Sequence, residues 1–110
     1  MDRIDQEPAT TADKTRLVLQ TPQVRVMEYV LPPGERHSWH HHSEVTDRFY
    51  CLAGEISVDL RDPPRTELLH LGETLTVTPG TVHRAGNPAS GVSRYLLVQG
   101  IGRYDYIKVA

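Results

Sequence analysis

Short stretches of alternating apolar and polar residues recur along the chain, and this two-residue period is typical of β-strands. Segment 56–60 shows the period most clearly. One face of it carries Ile56, Val58 and Leu60, and the other carries Ser57 and Asp59. Segment 23–31 has two partly apolar faces, as in a strand of a sandwich. The pattern predicts several strands, among them segment 103–109, which alternates almost to the end of the chain. No segment shows a convincing helical period.

Proline and glycine divide the apolar segments into short pieces. Proline cannot donate a hydrogen bond to a sheet, and glycine permits sharp turns. The turn clusters are Pro32-Pro33-Gly34, Asp62-Pro63-Pro64, Asn87-Pro88 and the pair Gly100 and Gly102. Many short strands, separated by such turns at intervals of roughly ten residues, predict an all-β sandwich or barrel. We interpret Gly54, Gly72 and Gly80 as turn glycines.

The first 14 residues follow a different pattern from the rest. They are polar, lack periodicity and include Pro8. We interpret segment 1–14 as a flexible arm, or as an arm that adds a strand to a partner molecule. Segment 15–110 is then the single folded domain, since a chain of 110 residues can bury one modest core.

Composition excludes several classes of function. The formal net charge is −2, so we expect no nucleic-acid partner. Uninterrupted apolar runs are short, so we expect no membrane span. The first ten residues are acidic and polar, unlike a secretory signal. One cysteine, Cys51, cannot form an internal disulfide, and a reducing cytoplasm is the expected location.

The histidines are concentrated in one segment. His37, His40, His41 and His42 lie between Gly34 and Gly54, Asp47 follows five residues after His42, and His83 lies in a later turn. Imidazole and carboxylate together suit a first-row transition metal. At strand spacing, His40 and His42 point to one side, whereas Trp39 and His41 point to the other. The candidate ligands are therefore His40, His42, Asp47 and His83.

Each part of this cluster also has a plain structural alternative. Three consecutive histidines can be a solvated polar run, and a lone His83 can be a hydrogen-bonded turn residue. Asp47 alone can be a surface carboxylate or a cap. We interpret His37 and His70 as structural or surface residues. Trp39, on the opposite side from the candidate ligands, packs either in a dimer contact or in the core.

Two spaced motifs resemble those of the cupin superfamily. In the first, five residues separate Gly34 from His40, one separates His40 from His42, four precede Asp47, and six precede Gly54. In the second, five residues separate Gly72 from Thr78, one separates Thr78 from Gly80, two precede His83, and three precede Asn87. Asp47 replaces the usual glutamate, and Thr78 stands where proline is usual. The resemblance covers segment 34–87, about half of the chain.

The resemblance implies a double-stranded β-helix, which is a jelly-roll barrel. It also implies a divalent metal (iron, manganese, nickel, zinc or copper) held by His40, His42, Asp47 and His83. Small single-domain relatives commonly form homodimers through their outer strands. For function it favours an enzyme acting on a small polar organic molecule, with dioxygenase chemistry first. A metal-dependent lyase, isomerase or decarboxylase and a non-catalytic ligand-binding protein are the alternatives, so whether the chain is an enzyme stays open here.

Asp47 is the point where the motif and the sequence differ. Its side chain is one methylene shorter than glutamate, a reach of about 1.5 Å less. It either binds the metal directly, binds through water, or acts as a catalytic general base. Glu44 is an alternative ligand from the preceding loop. Phe49 and Cys51 share the parity of Asp47 and are expected inside the barrel, with Arg48 outside.

Overall fold

A computed structural model describes residues 15–110, and within that range the chain forms ten β-strands and no helix. The predicted arm, 1–14, lies outside the described residues. The strands are β1 (Arg16–Gln20), β2 (Val24–Leu31), β3 (His40–His41), β4 (Thr46–Ala53), β5 (Ile56–Leu60), β6 (Arg65–Leu69), β7 (Thr74–Val77), β8 (His83–Gly86), β9 (Ser93–Gly100) and β10 (Ile107–Lys108).

The strands form two five-stranded sheets that pack face to face. One sheet has the order β1-β2-β9-β4-β7 and the other β10-β3-β8-β5-β6, and the neighbouring strands pair antiparallel. This is the predicted all-β jelly roll. The prediction succeeded because alternation is regular: β5 buries Ile56, Val58 and Leu60 and leaves the residues between them half-buried.

The apolar core fills the space between the sheets. It includes Phe49 and Cys51 from β4, as expected from their parity, and Tyr95 from β9. Arg48, on the opposite parity, is exposed. Gly54 joins β4 to β5 with a φ of 70°. A Cβ there would collide with the Ser93 side chain, so only glycine fits this turn without strain.

Two segments are less regular than the alternation predicted. The C-terminal segment forms only the two-residue strand β10, which pairs with β3. The residues before it, 104–106, lie against the histidines instead. β3 is also short: it contains only His40 and His41, and both His40 and the following His42 are buried.

Candidate metal centre

The four candidate ligands meet at one point inside the barrel. His40 lies on β3 beside His83 of β8, in the same sheet. Asp47 lies on β4 in the opposite sheet, and His42 follows β3. Each residue offers one ligand atom, and these atoms all lie within 4.8 Å of one another. The cluster therefore joins the two sheets, and its most exposed member, His40, is only 8% exposed.

Backbone carbonyls fix the orientation of all three imidazoles. Nδ1 of His40 lies 2.8 Å from the Ser38 carbonyl, and Nδ1 of His83 lies 2.8 Å from the Thr81 carbonyl. Nδ1 of His42 lies 2.6 Å from the carbonyl of Asp105. A carbonyl oxygen only accepts, so each Nδ1–H donates. In the neutral ring, Nε2 then carries a lone pair, which is the form that binds a metal.

The Asp47 carboxylate lies among these nitrogens. Its Oδ2 is 3.1 Å from Nε2 of His42 and 2.8 Å from Nε2 of His83. The Nδ1 atoms of His42 and His83 already carry a proton. A close contact between Nε2 and the carboxylate oxygen therefore needs either a second proton on that ring or a cation that both groups bind. Three imidazole nitrogens and one carboxylate, all buried around one point, form a donor set that fits a divalent transition metal.

The pKa values follow from the same contacts. Burial raises the pKa of Asp47, but hydrogen bonds from His42, His83 and Gln99 outweigh it and hold that pKa well below its usual range. Burial lowers the pKa of His40 to about 4, so this ring is neutral at physiological pH. Burial also lowers the pKa of His42, but the hydrogen bond and negative charge of Asp47 raise it further than burial lowers it.

Two further polar side chains, Gln99 and Arg25, hold Asp47 in position through successive hydrogen bonds. Gln99 Nε2 donates to Asp47 Oδ1 at 3.0 Å. Arg25 Nη1 donates to Gln99 Oε1 at 2.8 Å, and its guanidinium lies 4.2 Å from the ring centre of Tyr104. With Oδ1 occupied by Gln99, Oδ2 remains directed at the histidines. Sequence reasoning missed Gln99 and Arg25, because only the pairing of β9 with β4 and β2 brings them to Asp47.

A cavity of about 50 Å³ adjoins the cluster. Tyr106 stacks on His40 with their ring centres 4.3 Å apart, and the ring centres of Tyr104 and His42 are 5.5 Å apart. These tyrosines were also missed, although residues 104 and 106 share one parity. The cavity is lined by Tyr29, His37, His40, His42, Asp47, Phe49, Ala85, Tyr95, Leu97, Gln99, Tyr104 and Tyr106.

Other candidates from the sequence lie elsewhere. Glu44 is exposed, and its carboxylate accepts from the backbone amide of Arg103 at 3.0 Å. His70 is exposed between Glu55 and Glu73. His37, expected to be structural or at the surface, lines the cavity. Trp39 is not part of the cluster, and the guanidinium groups of Arg61 and Arg84 lie 4.2 Å and 4.5 Å from its ring centre.

Asn87, the last residue of the second motif, holds its own turn and a neighbouring strand. Its Nδ2 donates to the Gly91 carbonyl at 2.8 Å and to the Leu31 carbonyl at 2.9 Å. Its Oδ1 accepts from the Ala89 amide at 2.8 Å. Asn87 thus fixes the segment that follows β8, the strand that carries His83.

Comparison with known proteins supplies a family and a fold. A family model described as "Cupin domain" matches residues 27–99, more than half of the chain. Among curated proteins, a mannose-1-phosphate guanylyltransferase of Sinorhizobium fredii is 27% identical over 96 residues. That match takes in 84% of this chain and 18% of the relative, so the chain spans only about a fifth of that relative's length.

Solved structures share the same architecture. One is an uncharacterized conserved protein from Klebsiella pneumoniae with a double-stranded beta-helix domain. It matches with a TM-score of 0.80 at 21% identity, over 100% of this chain and 99% of the Klebsiella chain. An oxalate oxidase has a TM-score of 0.72 at 17% identity, covering 79% of this chain and 46% of its own. At such identities the likeness concerns the fold alone. Within residues 15–110 there is no apolar helix of membrane-spanning length.

Proposed function

The chain belongs to the cupin family, and from that premise we propose that it is a metal-dependent enzyme acting on a small polar organic molecule. The observation that carries this proposal is the buried convergence of His40, His42, Asp47 and His83, whose ligand atoms lie within 4.8 Å of one another beside a cavity. Ionisable groups are costly to bury unless they are paired or coordinate a metal, and such clusters concentrate at functional sites.

The proposed ligand atoms are Nε2 of each histidine and Oδ2 of Asp47. The carbonyl contacts at each Nδ1 support this choice, since they leave Nε2 free to bind. The proposed metal is iron, manganese, nickel, zinc or copper, because this donor set accepts all of them. When bound, such a metal supplies a Lewis acid, and a redox-active one also supplies dioxygen chemistry.

The chain's own side chains have separate proposed roles. The low pKa of Asp47 favours the role of anionic ligand over that of general base, which works best with a pKa near the operating pH. Tyr104 and Tyr106 pack against His42 and His40 and limit the entry of water. The small cavity, with aromatic walls, orients a correspondingly small substrate.

Oxygen uptake tests the favoured reaction class. We expect protein loaded with ferrous iron to consume dioxygen with at least one member of a panel of diketones, thiols and phenols. His83→Ala should abolish uptake, whereas His70→Ala, an exposed histidine outside the cluster, should not.

Two other outcomes of that experiment would replace the proposal. If a substrate is consumed without oxygen uptake, the protein is a lyase, isomerase or decarboxylase. If panel compounds bind but none is converted, it is a ligand-binding cupin.

We propose in addition that two copies form a homodimer. The support is β1, an edge strand on which Leu17, Val18 and Leu19 are all exposed. The cytoplasmic location and the lack of a nucleic-acid partner stay predictions from composition.

A further inference from the structure

Residues 103–109, called the strap from here on, run from one sheet to the other beside the metal cluster. The strap comes shortly after β9, which pairs with β4, and it includes β10, which pairs with β3 of the opposite sheet. Within it, the ring of Tyr106 stacks on His40, and the ring of Tyr104 lies beside His42. The strap is thus in direct contact with two of the four proposed ligands.

Asp105, in the middle of the strap, makes two hydrogen bonds to the stretch that begins at His42. Its backbone carbonyl accepts from Nδ1–H of His42 at 2.6 Å. Its side-chain Oδ1 accepts from the Ser43 backbone amide at 2.8 Å. The side-chain bond fixes Asp105 on this stretch of chain, and it therefore keeps the carbonyl of the same residue at the His42 ring.

His42 is the proposed ligand whose ring depends on a distant part of the chain. His40 and His83 each donate to a carbonyl only two residues earlier in the sequence. Their orientation is therefore settled locally. The carbonyl that accepts from His42 lies 63 residues further along the chain, so the orientation of His42 requires that the strap is in place.

The other attachments of the strap lie at or near the surface. The Arg103 amide donates to the exposed carboxylate of Glu44 at 3.0 Å, and the Val109 amide donates to the Trp39 carbonyl at 2.9 Å. Tyr106 is 45% exposed, although it also lines the cavity. Segments with exposed hydrogen bonds and little buried apolar surface open at a low cost in free energy. We therefore expect the strap to open while the two sheets stay folded.

A metal ion and the strap would act on opposite sides of the same imidazole. A cation on Nε2 of His42 draws electron density from the ring and makes Nδ1–H a stronger donor. A carbonyl at Nδ1 keeps the lone pair on Nε2 and makes that nitrogen more basic. Each contact strengthens the other. Because such coupling is reciprocal, the closed strap tightens metal binding by the same factor by which the metal favours strap closure.

We propose that Asp105 is a positioning residue for His42, and that metal binding and closure of the strap stabilise each other through this contact. The inference rests on the proposed metal site, and it adds a conformational response of the chain to the metal. Since Tyr104 and Tyr106 belong to the strap and line the cavity, the cavity wall is complete only in the closed form. The substrate pocket therefore forms fully when the metal is bound.

Zinc titration of Asp105 variants, by competition against a chelating dye, tests the positioning role. Asp105→Ala removes the acceptor of the Ser43 amide, and we expect the zinc dissociation constant to rise roughly tenfold. Asp105→Asn keeps a side-chain oxygen acceptor and should bind zinc more tightly than the alanine variant. Arg103→Ala is the matched control in the same strap. Its side chain is 81% exposed, and this variant should bind zinc as the parent does.

Amide hydrogen exchange of the full chain, followed by NMR, tests the coupling in the other direction. Saturating zinc should slow exchange of the Arg103 and Val109 amides roughly tenfold in the parent protein, and less in Asp105→Ala. The Glu73 amide, which donates to the His70 carbonyl at 2.9 Å in an exposed turn, is the internal control. Its exchange rate should not change with zinc. A merely structural role of Asp105 would leave exchange of the strap independent of zinc.

Results that overturn the inference differ from those that overturn the metal site. Equal zinc affinities in Asp105→Ala and the parent, or an equal loss in Arg103→Ala, would contradict the positioning role of Asp105. Zinc-independent exchange of the strap in a parent protein that binds zinc would contradict the coupling. Failure of the parent protein to bind zinc would contradict the proposed metal site, and the inference with it.

Discussion

Gln99 determines how the short carboxylate of Asp47 presents itself to the histidines. A glutamate, which is usual at this position in the first cupin motif, would reach about 1.5 Å further. Asp47 instead has one oxygen held by Gln99 at 3.0 Å, while Gln99 is held by Arg25 at 2.8 Å. Both Asp47 and Gln99 are 1% exposed, so water cannot replace these bonds. Gln99 is thus a positioning residue for the proposed ligand Asp47.

Replacing Gln99 with leucine should weaken metal binding without removing a ligand. The Asp47 oxygen and the Arg25 guanidinium both lose a partner, so we expect the zinc dissociation constant to rise about 10- to 100-fold. Competition against a chelating dye measures this change. Gln20→Leu, on the exposed strand β1, is the control and should bind as the parent does. Equal zinc affinities in Gln99→Leu and parent protein would exclude the positioning role.

The residues of the site differ in how far the sequence predicts them. His40, His42, Asp47 and His83 follow from parity and motif spacing, because both are local properties of the chain. Their convergence is observed, and their binding of metal stays a prediction. Gln99 lies 52 residues after Asp47 and meets it only through the register of β9 on β4. No local pattern carries that information, which is why it was missed.

Among the strands, β1 leaves the most apolar surface exposed in a single copy of the chain. Among residues 15–110 it pairs with β2 alone, as the outer strand of its sheet. Leu17, Val18 and Leu19 are 52%, 46% and 53% exposed. An apolar edge strand is prone to association, and natural proteins usually cover such an edge. This agrees with the proposed homodimer.

A double variant, Leu17→Lys with Leu19→Lys, should separate the dimer. Two lysines on an apolar edge oppose its burial. We expect sedimentation velocity to give the parent protein about twice the chain mass of 12.4 kDa, and the variant the single mass. Leu71→Lys, at a residue 71% exposed outside any strand, is the control and should remain dimeric. A monomeric parent at micromolar concentration would refute the dimer.

The strand pattern was predictable where burial alternates strictly, as in β5 and β9. It failed in segment 103–109, where alternation predicted a longer strand than β10. There the Asp105 backbone carbonyl accepts from His42, and Tyr104 and Tyr106 pack on histidines. The segment covers the site rather than extending a sheet, and a two-residue period cannot distinguish these outcomes.

For the whole molecule, the site and the fold depend on each other. The sheet that contains β3 and β8 supplies His40 and His83, and the opposite sheet supplies Asp47 and its partner Gln99. The donor set is therefore complete only when the two sheets are packed together. A metal bound there stabilises the folded chain over the unfolded one, because the unfolded chain has no preformed site.

Elemental metal analysis of purified, dialysed protein tests the central claim most directly. The decisive pair is His42→Ala and His41→Ala, because these adjacent histidines differ in whether they join the cluster. We expect about one divalent transition metal ion per chain in the parent protein and in His41→Ala, and a much lower content in His42→Ala. No metal in the parent protein, or equal metal in the two variants, would contradict the account.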